Sequence, residues 1–328
     1  MENILLIRFK SIGDVLFTLP AVQVVRAHYP HAKITFLTSR ENVALLAGFR
    51  EVDEIIALDR NRLQRGRPGQ ILTEAFQLFR RLRRGAFSLA FDFQGFGETE
   101  WLAWWSGASE RWGVVYQPGR GWSHTGISVR HPEVHPVEWN LDLLRAAGLE
   151  PGLVDNQYVL PAADLARARD CFLASGLEPG RPTLFLQPFT SSPGKNWPLA
   201  SYLELARLGR SRGLQIIFGG GPVDAGPLAP ARAAGFVVTA GTPLTVSAGL
   251  AKLSTLVVGG DTGLLHIAVA MQKRVLMLMR CAEPGHSHPY QHADWALTPE
   301  RSHILADLTI DRVWEAVNQA LAETPQGL

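Results

Sequence analysis

Short runs rich in Val, Ile, Leu and Phe alternate with longer helical stretches along all 328 residues, and this alternation constrains the fold more than any other feature. Such alternation is typical of parallel sheets whose strands are joined by crossover helices. The pattern occupies the first half of the chain and starts again near residue 183. At roughly 150 residues per domain, the chain is long enough for two such domains. We therefore predict an α/β fold of two Rossmann-like, doubly wound domains, residues 1–160 and 161–328.

Ten of the apolar runs are predicted to be strands, five in each half of the chain. They are residues 3–9, 33–39, 54–59, 88–94 and 111–116, then 183–189, 214–220, 236–241, 255–260 and 274–279. Periodic apolar positions predict helices at 70–83, 198–212, 263–271 and 310–323. Residues 10–17 are predicted to be loop or a first turn, with Pro20 near a helix start. Residues 150–182 are interpreted as the connection between the domains.

Composition argues against several classes of protein. Cys171 and Cys281 are the only cysteines, which disfavours a disulfide scaffold or a cysteine-based zinc site and fits a reducing cytosol. The apolar run at the N-terminus is too short for a signal peptide. No uninterrupted apolar stretch reaches the ~18 residues needed to span a bilayer. We therefore expect a soluble, cytoplasmic protein.

Charge is unevenly distributed along the chain. The formal net charge is +2, yet residues 60–84 carry eight arginines and one acidic residue, Glu74. A basic segment of this kind suggests an anionic partner, such as phosphate groups or an anionic membrane surface. A solvated helix face next to a loop explains the same charge equally well. No base-reading motif accompanies the segment, so nucleic acid is not an expected partner.

Open α/β sheets bind ligands at the carboxyl ends of their strands, and five polar or glycine-rich stretches follow predicted strands here. They are "KSIGD" (10–14), "QGFGE" (94–98), "TSSPGKNW" (190–197), "GGGPVD" (219–224) and "GGDTGLLH" (259–266). None is a dinucleotide fingerprint, because the first has one glycine where three are needed and no acid ends the second strand. No Walker lysine motif occurs either. NAD-dependent dehydrogenases and P-loop proteins are therefore disfavoured.

Two of these stretches have the composition of anion-binding turns. "TSSPGKNW" offers hydroxyl groups and Lys195 just before a predicted helix, and "GGDTGLLH" offers backbone N–H groups at the start of another. Hydroxyls, N–H groups and a lysine at a helix N-terminus bind phosphate. We predict a diphosphate site here. Alternative roles are a helix N-cap for Asp261 and a buried core position for His266.

"ILLIRFKSIGDVLFTLPA", "FDFQG", "KNWP" and "GGDTGLLHIAVA", in this order and spacing, resemble the ADP-heptose:lipopolysaccharide heptosyltransferases of glycosyltransferase family 9. The resemblance covers residues 3–285. It implies the GT-B fold, with an acceptor-binding first domain facing an ADP-heptose-binding second domain across a cleft. It also implies a metal-independent, inverting transfer of heptose to the lipopolysaccharide inner core at the cytoplasmic face of the inner membrane. The expected partners are the nucleotide-sugar donor and an anionic glycolipid acceptor, with peripheral membrane contact, ADP-heptose as co-substrate and no cofactor or metal.

The resemblance also assigns roles to individual residues. Asp14 matches the general base, although a helix N-cap is the other role open to it, and Lys195 matches a lysine that binds the leaving diphosphate. The further predicted donor-binding residues are Thr190, Ser191, Asp224, Thr242, Asp261, Thr262, Gly263 and His266. The predicted acceptor-binding residues are Gly13, Gln94, Arg62 and Arg65.

Two segments depart from the family pattern. Residues 279–290 read "MRCAEPGHSHPY" where the family has a "GPTDP"-like turn, and residues 116–138 match no acceptor loop.

Trp101, Trp104 and Trp105 fall at helical spacing, which favours packing over a platform that stacks sugars. The alternatives are a GT-B transferase with another nucleotide sugar or acceptor and a non-catalytic nucleotide-sugar-binding protein.

Overall fold

The chain forms two compact units, Met1–Gln157 and Tyr158–Leu328. The computed structural model describes residues 2–60, 67–283, 286–300 and 302–323. Each unit is built on one six-stranded sheet, and the described strands pair in parallel. No helix in the described part of the chain is both long and apolar enough to span a bilayer.

Strands and α-helices alternate along the described residues of the first unit. The strands are β1 (Asn3–Ile7), β2 (Lys33–Ser39), β3 (Glu54–Leu58), β4 (Leu89–Asp92), β5 (Glu110–Val115) and β6 (Gly126–Val129). The helices are α1 (Ile12–Leu16), α2 (Leu19–His28), α3 (Val43–Leu46), α4 (Pro68–Arg84), α5 (Gly97–Ser106) and α6 (Pro136–Ala146). The strand order is β3-β2-β1-β4-β5-β6. Strands β1 and β4 are almost entirely buried, as expected of a parallel sheet covered by helices on both faces.

The second unit repeats this plan. Its strands are β7 (Thr183–Gln187), β8 (Gln215–Gly220), β9 (Val237–Ala240), β10 (Leu256–Gly260), β11 (Val275–Leu278) and β12 (Ala296–Leu297). Its α-helices are α7 (Ala162–Ala174), α8 (Leu199–Ser211), α9 (Ala229–Ala233), α10 (Leu244–Leu253), α11 (Gly263–Ala270) and α12 (Ile310–Glu323). The strand order is β12-β11-β10-β7-β8-β9.

The strand order reverses at one point in each sheet, and ligands bind at such switch points. In the first sheet β1 lies between β2 and β4, and in the second β7 lies between β10 and β8. The turns after β1 and β4 therefore meet at one sheet edge, and those after β7 and β10 meet at another. Four of the five stretches singled out in the sequence lie at or beside these two points.

All ten predicted strands are present, and the structure adds to or refines the sequence-based prediction in four places. It adds β6, a four-residue strand at the edge of the first sheet, and β12, which has only two residues. Residues 10–17, predicted to be loop or a first turn, contain the five-residue helix α1. Residues 150–182 are more than a connection, because α7 packs against α10 within the second unit.

The tryptophans of α5 were predicted to pack, and for two of them this is wrong. Trp101 and Trp104 are 50% and 44% exposed, and they cluster with Trp122, which is 58% exposed. Their ring centroids lie 4.7 to 6.4 Å apart. The reason is that α5 buries its other face, through residues such as Leu102 and Ala103. Helical spacing alone does not say which face of a helix meets the core.

Candidate active site

Hydrogen bonds from three neighbouring segments hold Phe9, the second residue after β1. The carbonyl oxygen of Phe9 accepts from Ser39 Oγ at 2.9 Å and from Asn42 Nδ2 at 2.6 Å. Its N–H donates to Gln94 Oε1 at 2.8 Å. Both polar groups of the Phe9 backbone are therefore paired, and the chain leaves β1 toward α1 along a defined path.

The carboxylate of Asp14 lies in the first turn of α1 and is held at both oxygens. Oδ2 accepts from Ser11 N at 2.7 Å and from Ser11 Oγ at 3.1 Å, and Oδ1 lies 3.1 Å from Arg8 Nη2. The N-cap is Ser11, so the N-cap alternative for Asp14 is wrong. Asp14 is instead the acidic partner of a capping box. Its side chain is still 34% exposed, so a hydroxyl group can approach the carboxylate.

Two arginines that were not predicted as site residues lie beside this turn, Arg8 buried and Arg130 half-buried. Arg8 donates from Nη1 to the carbonyl oxygen of Phe93. Arg130 donates from Nη2 to the carbonyl oxygen of Gln94 at 2.9 Å, and its guanidinium lies 4.0 Å from the centre of the Tyr116 ring. Burial lowers the pKa of Arg130, and the charge of Arg8 lowers it further. Arg8 had a sequence signal, as the one charged residue in the run "NILLIRF", whereas Arg130 had none.

The turn after β4 supports the turn after β1. Asp92 Oδ1 accepts from the N–H groups of Gln94 at 2.9 Å and Gly95 at 3.1 Å. Gly95 has a φ of +72°, and a Cβ there would lie 1.8 Å from the carbonyl oxygen of Val114, so only glycine fits. Gln94, predicted as an acceptor contact, is fully buried, and its Nε2 lies 3.4 Å from Glu98 Oε1. The oxygen and the nitrogen of its side-chain amide are therefore both hydrogen-bonded within the protein, and they link the turn after β1 to the turn after β4.

Of the other three predicted acceptor contacts, the structure describes one, Gly13. Gly13 lies in α1, half-buried, next to Asp14. Arg62 and Arg65 lie outside the described residues.

In the second unit, the turn after β10 brings three predicted donor-binding residues together. Asp261 Oδ2 lies 2.8 Å from Lys195 Nζ, and Asp261 Oδ1 lies 2.9 Å from His266 Nε2. The N-cap of α11 is Thr262, whose Oγ1 accepts from Leu265 N at 3.4 Å. The N-cap alternative for Asp261 is therefore wrong. His266 is buried, as its alternative role required, but it also binds the Asp261 carboxylate.

The electrostatics of this cluster favour an anionic ligand. Burial alone would raise the pKa of Asp261, but the hydrogen bonds and charges of His266 and then Lys195 lower it to about 2. The carboxylate is ionised at neutral pH and holds the lysine ammonium beside the first turn of α11. Since a helix N-terminus carries partial positive charge and free N–H groups, the lysine and the helix attract the same anion.

A glycine lets the loop after β7 lie directly on the end of β10. A Cβ at Gly260 would lie 2.6 Å from Thr190 Cγ2 and 3.0 Å from the carbonyl oxygen of Lys195. The loop is also closed on itself, because Thr190 N donates to Asn196 Oδ1 at 2.8 Å and Ser192 N donates to Thr190 Oγ1 at 3.1 Å. Because Gly260 has no side chain, the loop that carries Lys195 can lie against β10, and Lys195 can reach Asp261.

A cavity of about 520 Å³ adjoins this cluster within the second unit. Its volume is within the usual range for small-molecule sites. The residues that line it include Lys195, Asp261, Arg280, Cys281, Glu283, His286 and His303.

Three further predicted donor-binding residues lie outside this cluster. Ser191 is exposed in the loop after β7. Asp224 Oδ2 accepts from Gly221 N at 2.7 Å after β8, and Thr242 Oγ1 lies 2.5 Å from Ser247 Oγ after β9. These turns follow neighbouring strands at the same carboxyl edge of the sheet.

Comparison with known protein families identifies the family to which the chain belongs. Residues 75–306 match the model of the family described as glycosyltransferase family 9 (heptosyltransferase), which is more than half of the chain. The chain belongs to glycosyltransferase family 9. It is therefore a glycosyltransferase.

The proteins to which this family 9 glycosyltransferase is similar include a curated relative and several solved structures, among them the following. It is 26% identical over 293 residues to lipopolysaccharide heptosyltransferase 1 of Pseudomonas aeruginosa, which covers 88% of this chain and 81% of that protein. A family 9 glycosyltransferase from Veillonella parvula superposes with a TM-score of 0.85 at 17% identity, over 98% of both chains. The E. coli ADP-heptose lipopolysaccharide heptosyltransferase II gives 0.79 at 22% identity, over 98% of this chain and 99% of that one. These likenesses confirm the predicted fold class, GT-B with two Rossmann-like units.

In this glycosyltransferase the segment that departs from the family pattern brings three metal-ligating side chains together. Single ligand atoms of Cys281, Glu283 and His286 lie within 4.8 Å of one another. Sulfur, carboxylate oxygen and imidazole nitrogen form a donor set that suits zinc or a similar transition metal. These residues are the ones in the described chain that could hold a metal beside the cavity. The count of cysteines alone did not point to them, because a single cysteine suffices when Glu and His supply the other ligands.

Proposed function

We propose that this glycosyltransferase moves heptose from ADP-heptose to a lipopolysaccharide inner-core acceptor, with inversion at the anomeric carbon. The observation that carries the proposal is the Lys195–Asp261–His266 cluster at the N-terminus of α11, in a chain that belongs to a heptosyltransferase family. Lipopolysaccharide and ADP-heptose are the substrates named for the similar proteins of P. aeruginosa and E. coli. The cluster supports the donor half of the reaction because a diphosphate needs a cation and free N–H groups.

The second unit is proposed to bind the donor. The ammonium group of Lys195 and the first N–H groups of α11, at Thr262 and Gly263, bind the diphosphate. Thr190 and Ser191 add hydroxyl groups from the loop that lies on β10. Asp224 and Thr242, in the turns after β8 and β9, contact the adenosine.

The first unit is proposed to bind the acceptor, with Asp14 as general base. The acceptor O–H bond breaks, its proton moves to the Asp14 carboxylate, and the oxygen bonds to the anomeric carbon of heptose. The bond from that carbon to the diphosphate oxygen breaks, and its electron pair leaves with ADP. Lys195 and the N-terminus of α11 stabilise the charge that grows on ADP, and electrostatic contributions of this type are worth roughly 3–4 kcal/mol per well-placed donor.

The reaction is further proposed to take place at the cytoplasmic face of the inner membrane, with α4 against anionic lipid. In the second half of this helix Arg80 and Arg84 are exposed, and in the first half Leu72 and Phe76 are exposed one turn apart. A helix with cationic and exposed apolar positions suits the boundary between headgroups and acyl chains. Arg62 and Arg65 precede this helix in the chain and are proposed to meet the acidic groups of the acceptor.

The test is incubation of the purified protein with ADP-heptose and defined truncated core acceptors, followed by mass spectrometry and NMR of the product. We expect a mass increase of one heptose unit, release of one ADP, and the opposite anomeric configuration to that of the donor. Transfer from a different nucleotide sugar, with none from ADP-heptose, would replace the donor in this proposal. Binding of ADP-heptose without transfer to any core acceptor would leave a nucleotide-sugar-binding protein.

A further inference from the structure

Besides the cavity in the second unit, the first unit has a cavity of its own, of about 510 Å³, that the proposed chemistry does not use. It lies between α4 and α5 and is lined mainly by apolar side chains. Its walls include Phe9, Ile71, Ala75, Trp101, Leu102 and Trp105. Small-molecule sites typically have this size, this apolar lining and a few polar groups.

The cavity exists because α4 packs tightly along only part of its length. Leu78 is 8% exposed and Leu82 is fully buried, so the C-terminal half of α4 is anchored on the unit. Ala75 and Ile71, one and two turns nearer the N-terminus than Leu78, are only half-buried and face the cavity. Apolar walls that face water rather than other side chains favour the entry of an apolar ligand.

The polar groups of the cavity are two charged side chains. Arg60 Nη2 lies 2.6 Å from Glu98 Oε1, and the Arg60 guanidinium lies 5.5 Å from the centre of the Phe9 ring. Both Arg60 and Glu98 line the cavity, whose other walls are apolar. This division between a charged pair and apolar walls is complementary to an amphiphile, with Arg60 able to pair with an anionic group.

The cavity shares Phe9 with the segment that leads into the turn carrying the proposed base. The ring of Phe9 forms part of its wall, while the Phe9 N–H is bonded to Gln94. Glu98 also lies 3.4 Å from Gln94 Nε2. Residues 10–14 follow Phe9 directly, so a ligand in the cavity would contact the residue from which the proposed acceptor turn begins.

We infer that this cavity binds a hydrocarbon chain of the lipid acceptor, with Arg60 pairing with an anionic group near the start of that chain. The inference rests on the proposed function, because it takes the acceptor to be a lipopolysaccharide. It adds an apolar subsite to an acceptor site otherwise made of polar and charged residues. The enzyme then distinguishes acylated acceptors from their deacylated sugars.

The first experiment compares KM for an acylated core acceptor and for the same acceptor after chemical deacylation. We expect the native enzyme to show at least a tenfold lower KM for the acylated form, since burial of a few methylenes is sufficient for that factor. Ala75→Trp fills the cavity and should bring the ratio of the two KM values close to one. Gln77→Trp places the same side chain at an exposed position of α4 and should leave the ratio at its native value.

Two outcomes would overturn the inference. One is a native KM ratio near one, and the other is a ratio that Ala75→Trp leaves unchanged. If Phe76→Ala brings the KM ratio close to one while Ala75→Trp leaves it at the native value, the acyl chain lies instead on the exposed face of α4, against a membrane or micelle. Should Ala75→Trp fail to fold, Ile71→Trp narrows the same cavity from one turn away.

A binding measurement separates this inference from the proposed function. Trp101 and Trp105 line the cavity, so a brominated alkyl phosphate below its micelle concentration should quench part of the native fluorescence saturably. Trp105→Phe should reduce that amplitude, and Ala75→Trp should weaken the binding at least tenfold relative to Gln77→Trp. Quenching without heptose transfer would support the cavity and contradict the proposed function. Heptose transfer without saturable quenching would contradict the cavity and leave the proposed function intact.

Discussion

The carboxylate of Asp14 serves the capping box and the proposed proton transfer through the same atoms, and one substitution separates these roles. In Asp14→Asn the amide oxygen can still accept from Ser11 N, so α1 and the fold should be kept. The amide cannot take a proton from the acceptor, so kcat should fall about 100- to 10,000-fold. Steady-state ADP release measures kcat, and calorimetry should give an ADP-heptose Kd within about twofold of native.

The control for this substitution is Ser11→Ala, which removes one hydrogen bond from the carboxylate and leaves the acid in place. Its kcat should fall less than tenfold. If Asp14→Asn lowers the melting temperature and donor affinity as much as it lowers kcat, Asp14 is a structural residue and the base lies elsewhere.

Asp261 should contribute stability that depends on pH. Its pKa is about 2, below its ordinary value of 3.8. A lowered pKa in the folded state stabilises the protein above the ordinary value, and this contribution is lost as the pH falls from about 4 to 2. At about 1.4 kcal/mol per pKa unit, it amounts to about 2 kcal/mol. Urea unfolding should show Asp261→Asn less stable than native by this amount at pH 6, with the gap closing below pH 4. A gap of constant size down to pH 2.5 would contradict the assignment.

Among the secondary-structure elements, the contact between the loop after β7 and the end of β10 depends on one glycine. In Gly260→Ala the new methyl group would lie 2.6 Å from Thr190 and 3.0 Å from the backbone of Lys195, so the loop must move. We expect ADP to bind at least tenfold more weakly, as measured by calorimetry. Gly194→Ala is the matched control, because residue 194 lies in the same loop with nothing within 4 Å of a Cβ. Equal affinity in the two variants would show that the loop position does not matter for the nucleotide.

The elements differ in how far the sequence determines them. Buried strands such as β1 and β10 were predictable, because both their faces meet helices and the whole run is apolar. The edge strand β6 was not, because Gly126–Val129 is only half-buried and lacks that signal. The site follows the same division. Lys195 and Asp261 lie in local motifs that bind anions, whereas Arg130 reaches Gln94 through tertiary contact alone.

At the scale of the whole molecule, both units present turns at a switch point, so the architecture alone does not say which unit takes the nucleotide. The side chains differ between the two. The turn after β1 pairs Asp14 with Arg8, whereas the turns after β7 and β10 pair Asp261 with Lys195 and His266 and add the N-terminus of α11. A diphosphate is repelled by a carboxylate and attracted by a cation and free N–H groups. We therefore propose that the donor binds to the second unit.

Hydrogen exchange with mass spectrometry tests this assignment on the intact protein. Saturating ADP should slow exchange in peptides that cover 190–197 and 259–266, because bound phosphate occupies their N–H groups. At 100 times its Kd the ligand adds about 2.7 kcal/mol to the stability of the state that binds it. At the same ADP concentration, Lys195→Ala should lose most of this protection, whereas Lys252→Ala, an exposed lysine on α10, should keep it. Protection centred on 10–14 and 94–98 would reverse the assignment, since it would place the nucleotide beside the carboxylate that is proposed to receive the acceptor proton.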